Sequence, residues 1–182
     1  MNRIVFAIFF VCTSLAVLAQ TPSSANDVMN EAYASAKKEN KKVFVMFHAS
    51  WCGWCHKMDA AMNDPSVKKF FDDNFVIRHL VVMESEGKKN LENPGATEMM
   101  AKYHGGKSGI PYWLVFDANG TLLADSKLRP EGGGPETGDN IGCPATEKEV
   151  AYFVDILKKT TKLGQPDLDL ITKRFRQNEA AH

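Results

Sequence analysis

Val43 to Met62 reads VFVMFHASWCGWCHKMDAAM, and the rest of the chain is arranged around it. The opening run Val43-Phe44-Val45-Met46-Phe47 is apolar and rich in β-branched and aromatic side chains, as a buried strand is. A short connection follows, His48-Ala49-Ser50-Trp51, and then Cys52-Gly53-Trp54-Cys55. Beyond it Met58, Ala61 and Met62 recur at i, i+3, i+4 spacing, which predicts a helix. The two cysteines therefore lie where a strand hands over to a helix, with Cys52 at or just before the first turn.

That position has a chemical consequence. A helix start carries unpaired N–H groups and about half a positive charge. Both stabilise a thiolate, the form of cysteine that attacks disulfides. Cys55 lies one turn deeper and can reach back to the first sulfur. Cys52 is thus the candidate nucleophile and Cys55 the residue that resolves a mixed disulfide, the minimum that thiol–disulfide exchange requires.

Trp51-Cys52-Gly53-Trp54-Cys55 after an apolar strand resembles the active site of the thioredoxin superfamily. Within it the chain is similar to the secreted bacterial branch, with its N-terminal helix, WCxxCxxM-type site and export signal. The resemblance covers roughly Asp27 to Lys162. A second motif in the right order supports it: Gly109-Ile110-Pro111, followed by the strand-like Tyr112-Trp113-Leu114-Val115-Phe116. In that family a cis proline behind a small apolar residue faces the CxxC.

The resemblance implies an α/β fold, a three-layer sandwich with a mixed central sheet flanked by helices. An extra N-terminal helix and a long loop before the C-terminal helix are expected here. It implies an enzyme, a thiol–disulfide oxidoreductase. Ile110 before the proline, as in thioredoxins, leans it toward reductase or isomerase. Trp51, Gly53, Trp54, Ile110 and Pro111 are the expected substrate-binding residues: the tryptophans as an apolar lip, the proline turn as an edge for β-augmentation by an extended peptide. No cofactor and no metal are expected, since the electrons sit on two sulfurs. The implied partners are client proteins carrying disulfides or cysteines, and a membrane or soluble redox partner. One departure matters. Thioredoxins carry a buried acid on the strand where this chain has Met46. His48, Asp59 and His56 are the ionisable residues nearby, and His48, titrating near neutrality, is the candidate for taking the Cys55 proton.

The address is read from the other end. Met1-Asn2-Arg3 is a small positive leader, Ile4 to Leu18 is almost wholly apolar, and Ala19 offers a small residue for cleavage. Residues 1–19 are expected to be a cleaved signal peptide and 20–182 a single domain in the periplasm or outside the cell. Cleavage would remove Cys12 and leave Cys52, Cys55 and Cys143, in a compartment where disulfides persist. The 182 residues suffice for one core, and a formal net charge of zero argues against nucleic acid as a partner.

Along the chain, Ser24 or Asn26 can cap a helix with Val28, Met29, Ala32, Tyr33 and Ala36 on one face. Asp64-Pro65 predicts a further helix with Asp64 as its cap, and Asn74 to Val82 a strand. Lys88 to Pro94 reads as loop and Gly95 to Tyr103 as helix. Tyr112 to Ala124 is a hairpin pattern around Asp117-Ala118-Asn119-Gly120. Ser126 to Cys143, rich in glycine, proline and charge, reads as a long surface loop. Thr146 to Glu149 is a capping box before a core helix, and Asp167 to Gln177 a short amphipathic helix.

The same residues also admit other chemistry. Cys52 to His56 also satisfies the CxxCH pattern of c-type haem attachment, but a buried strand runs directly into it. Zinc on Cys52, Cys55, His56 and Cys143 would need adjacent residues on one ion. A structural disulfide across so short a loop removes little chain entropy. A different class remains: a redox-marginal binding or chaperone-like module, motivated by the missing acid and the long loop. Cys143 is either an unpaired loop thiol, an extra redox relay or an intermolecular link.

Overall fold

The computed structural model describes residues 21–179, so the expected signal peptide and Cys12 lie outside the described residues. Lys42–His48 forms the first strand, β1, Phe75–Val81 β2, Tyr112–Phe116 β3 and Leu122–Asp125 β4. They make one sheet in the order β2-β1-β3-β4. β1 runs parallel to β2, with Lys42 opposite Phe75 and His48 opposite Val81. It runs antiparallel to β3, and β3 antiparallel to β4. A parallel pair needs a crossover connection. Two helices supply it, Gly53–Met62 and Lys68–Asn74, which follow a first helix, α1, at Ala25–Glu39 and are numbered α2 and α3.

β1 is buried from Val43 through Phe47 because both faces of the sheet are covered. Successive side chains point to opposite faces. Phe44 and Met46 join one apolar cluster with Met58 and Met62 of α2 and Phe71 of α3. Val43, Val45 and Phe47 join another with Met29, Ala32 and Ala36 of α1. Ala96 and Met100 of α4 (Ala96–Lys102) complete that second layer. The first layer is completed by α5 (Glu147–Thr160) and α6 (Gln165–Arg176). Phe153 of α5 sits among Trp113, Phe71 and Phe175, with ring centroids 5.5, 6.3 and 4.9 Å away. Burying each such ring contributes roughly 1.5–3 kcal/mol. The α/β three-layer sandwich with a mixed sheet and an N-terminal helix is therefore the architecture present.

Several local expectations need correction. Asp64 does not cap a helix at Pro65. Its carboxylate instead accepts from the Ser66 backbone N–H and hydroxyl, closing a turn, and α3 begins only at Lys68. Glu86–Leu91, which overlaps the expected loop Lys88 to Pro94, is a 3-10 helix, with the Lys88 N–H on the Ser85 carbonyl and the Glu92 N–H on the Lys89 carbonyl. Ser126 to Cys143 is not a plain surface loop. It contains two short antiparallel strands, β5 (Lys127–Leu128) and β6 (Asp139–Asn140), and Ser126, Lys127, Ile141 and Cys143 are buried. α1 takes Ser24 as its cap, its hydroxyl accepting from the Asp27 N–H, while Asn26 lies in the first turn. The Thr146 and Glu149 capping box forms as the sequence suggests.

Candidate active site

β1 and α2 deliver the cysteines. Cys52 is the N-cap of α2, and its Sγ accepts from the Cys55 N–H at 3.1 Å. Cys55 is the third residue of α2 and fully buried, while Cys52 is 3% exposed. The two are joined as a disulfide with Cα atoms 5.3 Å apart. On reduction the same N–H, with the positive end of α2 behind it, favours a thiolate on Cys52. Attachment of a haem would need both sulfurs open to a porphyrin, and Cys55 is closed in.

The Gly109–Pro111 turn stands across from the pair. The Ile110–Pro111 peptide bond is cis, and the Ile110 carbonyl oxygen lies 3.6 Å from Cys52 Sγ. Ile110 and Trp54 pack onto a small cluster of Ala49, Cys52 and Cys55. Trp54 is half-buried, with Lys57 Nζ 4.4 Å above its ring. Trp51 is 59% exposed, though its indole N–H donates to the Met83 carbonyl at 2.8 Å, so the ring is anchored while its face is open. Gly53 is exposed between them.

His48 ends β1 and is half-buried. Its ring lies 5.0 Å from that of His79 on β2, and His79 Nε2 is 2.8 Å from Asp59 Oδ1 on α2. Burial, then the neighbouring His79, holds the His48 pKa below its ordinary value, with Asp59 opposing. His48 is thus neutral at neutral pH. His56 points elsewhere: its Nε2 is 3.0 Å from the Ser50 carbonyl.

Two residues at this site escape a reading of the sequence. Glu84 is 4% exposed, and its carboxylate accepts from both the Ser50 N–H and the Ser50 hydroxyl. Those bonds hold it below the usual carboxylate range. Together with the Met83 carbonyl it fixes the loop that leads into Cys52. The only sequence signal is an acid, the first of Glu84-Ser85-Glu86, directly after the apolar run that ends β2, where strand ends feed a site. His79 is the other, placed by its strand register opposite Met46.

A groove of about 1170 Å³ runs from Trp54 past Ile110 and Pro111 to Asn140, Cys143 and Glu149. Cys143 is a free, buried thiol whose pKa burial pushes up to about 12. Its sulfur accepts from the Asn178 side-chain amide at 3.4 Å. A protonated, enclosed thiol is a poor nucleophile, which weighs against a redox relay there. Among the described residues no three His, Cys, Asp or Glu side chains gather closely enough to hold a metal ion.

With this geometry in view, residues 25–118 match the family described as Thioredoxin-like. A disulfide bond reductase, DsbH, of Chlamydia pneumoniae is 31% identical over 125 residues, which cover 64% of this chain and 73% of that protein. Spermatogenesis-associated protein 20 of Mus musculus is 29% identical over 86 residues, 47% of this chain. The match spans about a tenth of that longer protein, 10%. Among solved structures, a disulphide isomerase from Xylella fastidiosa Temecula1 aligns over 91% of this chain and 98% of its own, with a TM-score of 0.49 and 17% identity.

Proposed function

The chain belongs to the thioredoxin-like family, and on that premise we propose that it is an exported thiol–disulfide oxidoreductase acting on client proteins as a reductase or isomerase. The observation that carries the reading is the position of Cys52. Its sulfur caps α2, accepts the Cys55 N–H and faces the Ile110 carbonyl.

In the reducing direction the Cys52 thiolate attacks one sulfur of a client disulfide. A mixed disulfide forms and the other client sulfur leaves as a thiolate. Cys55 then gives up its proton, attacks Cys52 Sγ and releases the second client thiolate, leaving the Cys52–Cys55 disulfide. Two electrons have moved from enzyme to client. A cysteine-bearing redox partner, soluble or in the membrane, must return them by the same exchange run backwards. The dithiol supplies all the chemistry, so no cofactor enters. In isomerisation the client's own thiol displaces Cys52 and no net electrons move.

His48 takes the Cys55 proton in this scheme. Its support is a neutral imidazole at the strand end before the motif, beside His79 and Asp59, in a fold lacking the strand acid. The apolar run over residues 4–18 supports a periplasmic or extracellular address.

Reduction of insulin disulfides with dithiothreitol as recharger tests the activity. The parent should accelerate it and Cys52→Ser should not. A Cys52→Ser protein as effective as the parent would overturn the assignment and favour a binding or chaperone-like module.

A further inference from the structure

The Gly109–Pro111 turn has few handles. Pro111 has no N–H to donate, and it is by the carbonyls of Gly109 and Pro111 that the surrounding chain grips the turn. Asn140, on β6 in the 126–143 excursion, takes two of them. Its side-chain Nδ2 donates to the Gly109 carbonyl at 2.7 Å and to the Pro111 carbonyl at 3.0 Å. Its Oδ1 accepts the Gly142 N–H at 3.2 Å. A primary amide has two N–H donors, and here both bracket Ile110, the residue whose carbonyl faces Cys52 Sγ at 3.6 Å. The other side of this contact is also fixed: the buried Trp113 indole donates to the Gly142 carbonyl at 2.9 Å, and the Ile141 N–H donates to the Ser126 carbonyl. β6 is therefore stapled to the core before it reaches the turn.

We propose that Asn140 is a positioning residue for substrate: it holds the Gly109–Pro111 turn so that the Ile110 backbone is presented to an extended peptide while the peptide's sulfur meets Cys52. The inference rests on the thiol–disulfide reading and deepens it. The excursion is then the back wall of the peptide-pairing edge. The requirement is specific to side-chain chemistry. An aspartate at this position keeps the acceptor for Gly142 but offers two carbonyl oxygens a negatively charged acceptor in place of two donors. Alanine removes all three bonds without adding charge.

The test compares two substrates on Asn140→Asp and Asn140→Ala. One is a peptide disulfide with an extended backbone, which can pair with Ile110. The other is 5,5′-dithiobis(2-nitrobenzoate), which has no backbone to pair. Losing two hydrogen bonds at the pairing edge should lower kcat/KM for the peptide about tenfold more than for the small disulfide. The loss should fall mainly on KM, with Asp showing the larger tilt. A residue of merely structural importance would slow both substrates alike, and that result, or a peptide-to-small-disulfide ratio within about twofold of the parent in both variants, overturns the proposal. Failure of the parent itself to reduce the peptide would instead sink the underlying function.

Discussion

Two stretches of the chain face each other across the groove, and they encode their structure in opposite ways. Val43 to Met62 carries its geometry locally: a continuous apolar strand, a short loop and a helix whose cap is Cys52. Ser126 to Cys143 has the composition of a loop, yet it folds back through β5 and β6 and buries both ends. Its order comes from elsewhere in the chain, through Trp113, whose backbone N–H donates to the Ser126 hydroxyl and whose indole donates to the Gly142 carbonyl. Asp125, whose carboxylate pairs with the Arg129 guanidinium and accepts the Lys127 backbone N–H, secures the entry. The first stretch holds the Cys52–Cys55 pair and the second lines the groove beside it. An arm with local order can be read from its own residues, whereas an arm ordered by tertiary bonds can be read only where its anchors are known.

The comparison breaks first at the cysteines. Cys52→Ser should bring insulin reduction down to the rate of dithiothreitol alone, because a serine hydroxyl does not ionise near neutrality. Cys55→Ser should leave the first attack intact and trap the client, visible by mass as a covalent adduct that dithiothreitol releases. If Cys55→Ser traps nothing, the order of nucleophile and resolver is wrong.

The next effect is on stability and tests the second arm. Trp113 is fully buried, stacks on Phe44 and donates to the Gly142 carbonyl. Trp113→Ala should cost about 3–5 kcal/mol, mostly cavity. Trp113→Phe keeps most of the ring but strands the Gly142 carbonyl, at about 1–3 kcal/mol. Urea midpoints with unchanged slope would measure both. A Trp113→Phe protein as stable as the parent would mean that the indole bond does nothing to anchor the excursion.

A smaller effect concerns His48. Its folded pKa is lowered from an ordinary 6.5, by burial first and His79 second, with Asp59, Glu84 and His56 also acting on it. The unfolded chain therefore binds this proton more readily than the folded one. The stability that depends on neutral His48 is complete above about pH 6.5 and is lost as pH falls through the folded value. His48→Gln should flatten that acid limb in urea unfolding measured from pH 7.5 down to 5. The same variant should shift the pH–rate profile of insulin reduction. A profile identical to the parent's would remove His48 from proton handling and leave it a packed strand-end residue.

What could be read in the sequence follows the same division. β1, α2, α5 with its capping box, the hairpin and the facing Gly-Ile-Pro turn all announce themselves through periodicity or turn chemistry. Asp64-Pro65 misled because the same residues serve a helix cap and a tight turn, and the carboxylate bonded two residues on rather than three. Glu84 and His79 were silent because their roles depend on strand register, which places Met46 beside His79 and the end of β2 beside Ser50. Asn140 was silent for a stronger reason. It belongs to a segment with no periodicity of its own, and its partners lie about thirty residues away on a turn it does not resemble.

The smallest effect belongs to Cys143, and it asks how closed the excursion is. Burial pushes this thiol up to about 12, and Asn178 donates to its sulfur. At pH 8 that leaves a thiolate fraction of roughly one in ten thousand, against about a tenth for an ordinary thiol near 9.0. In the oxidised protein Cys143 is the free thiol among the described residues. Iodoacetamide at pH 8 should therefore leave the native oxidised protein unlabelled over an hour and add one group at Cys143 in urea. Labelling of Cys143 in the native state at the rate of a free cysteine would show that the 126–143 arm opens readily in solution. The arm would then be the flexible loop that its composition suggests, and the contrast with the 43–62 arm would become one of order against mobility instead of two routes to order.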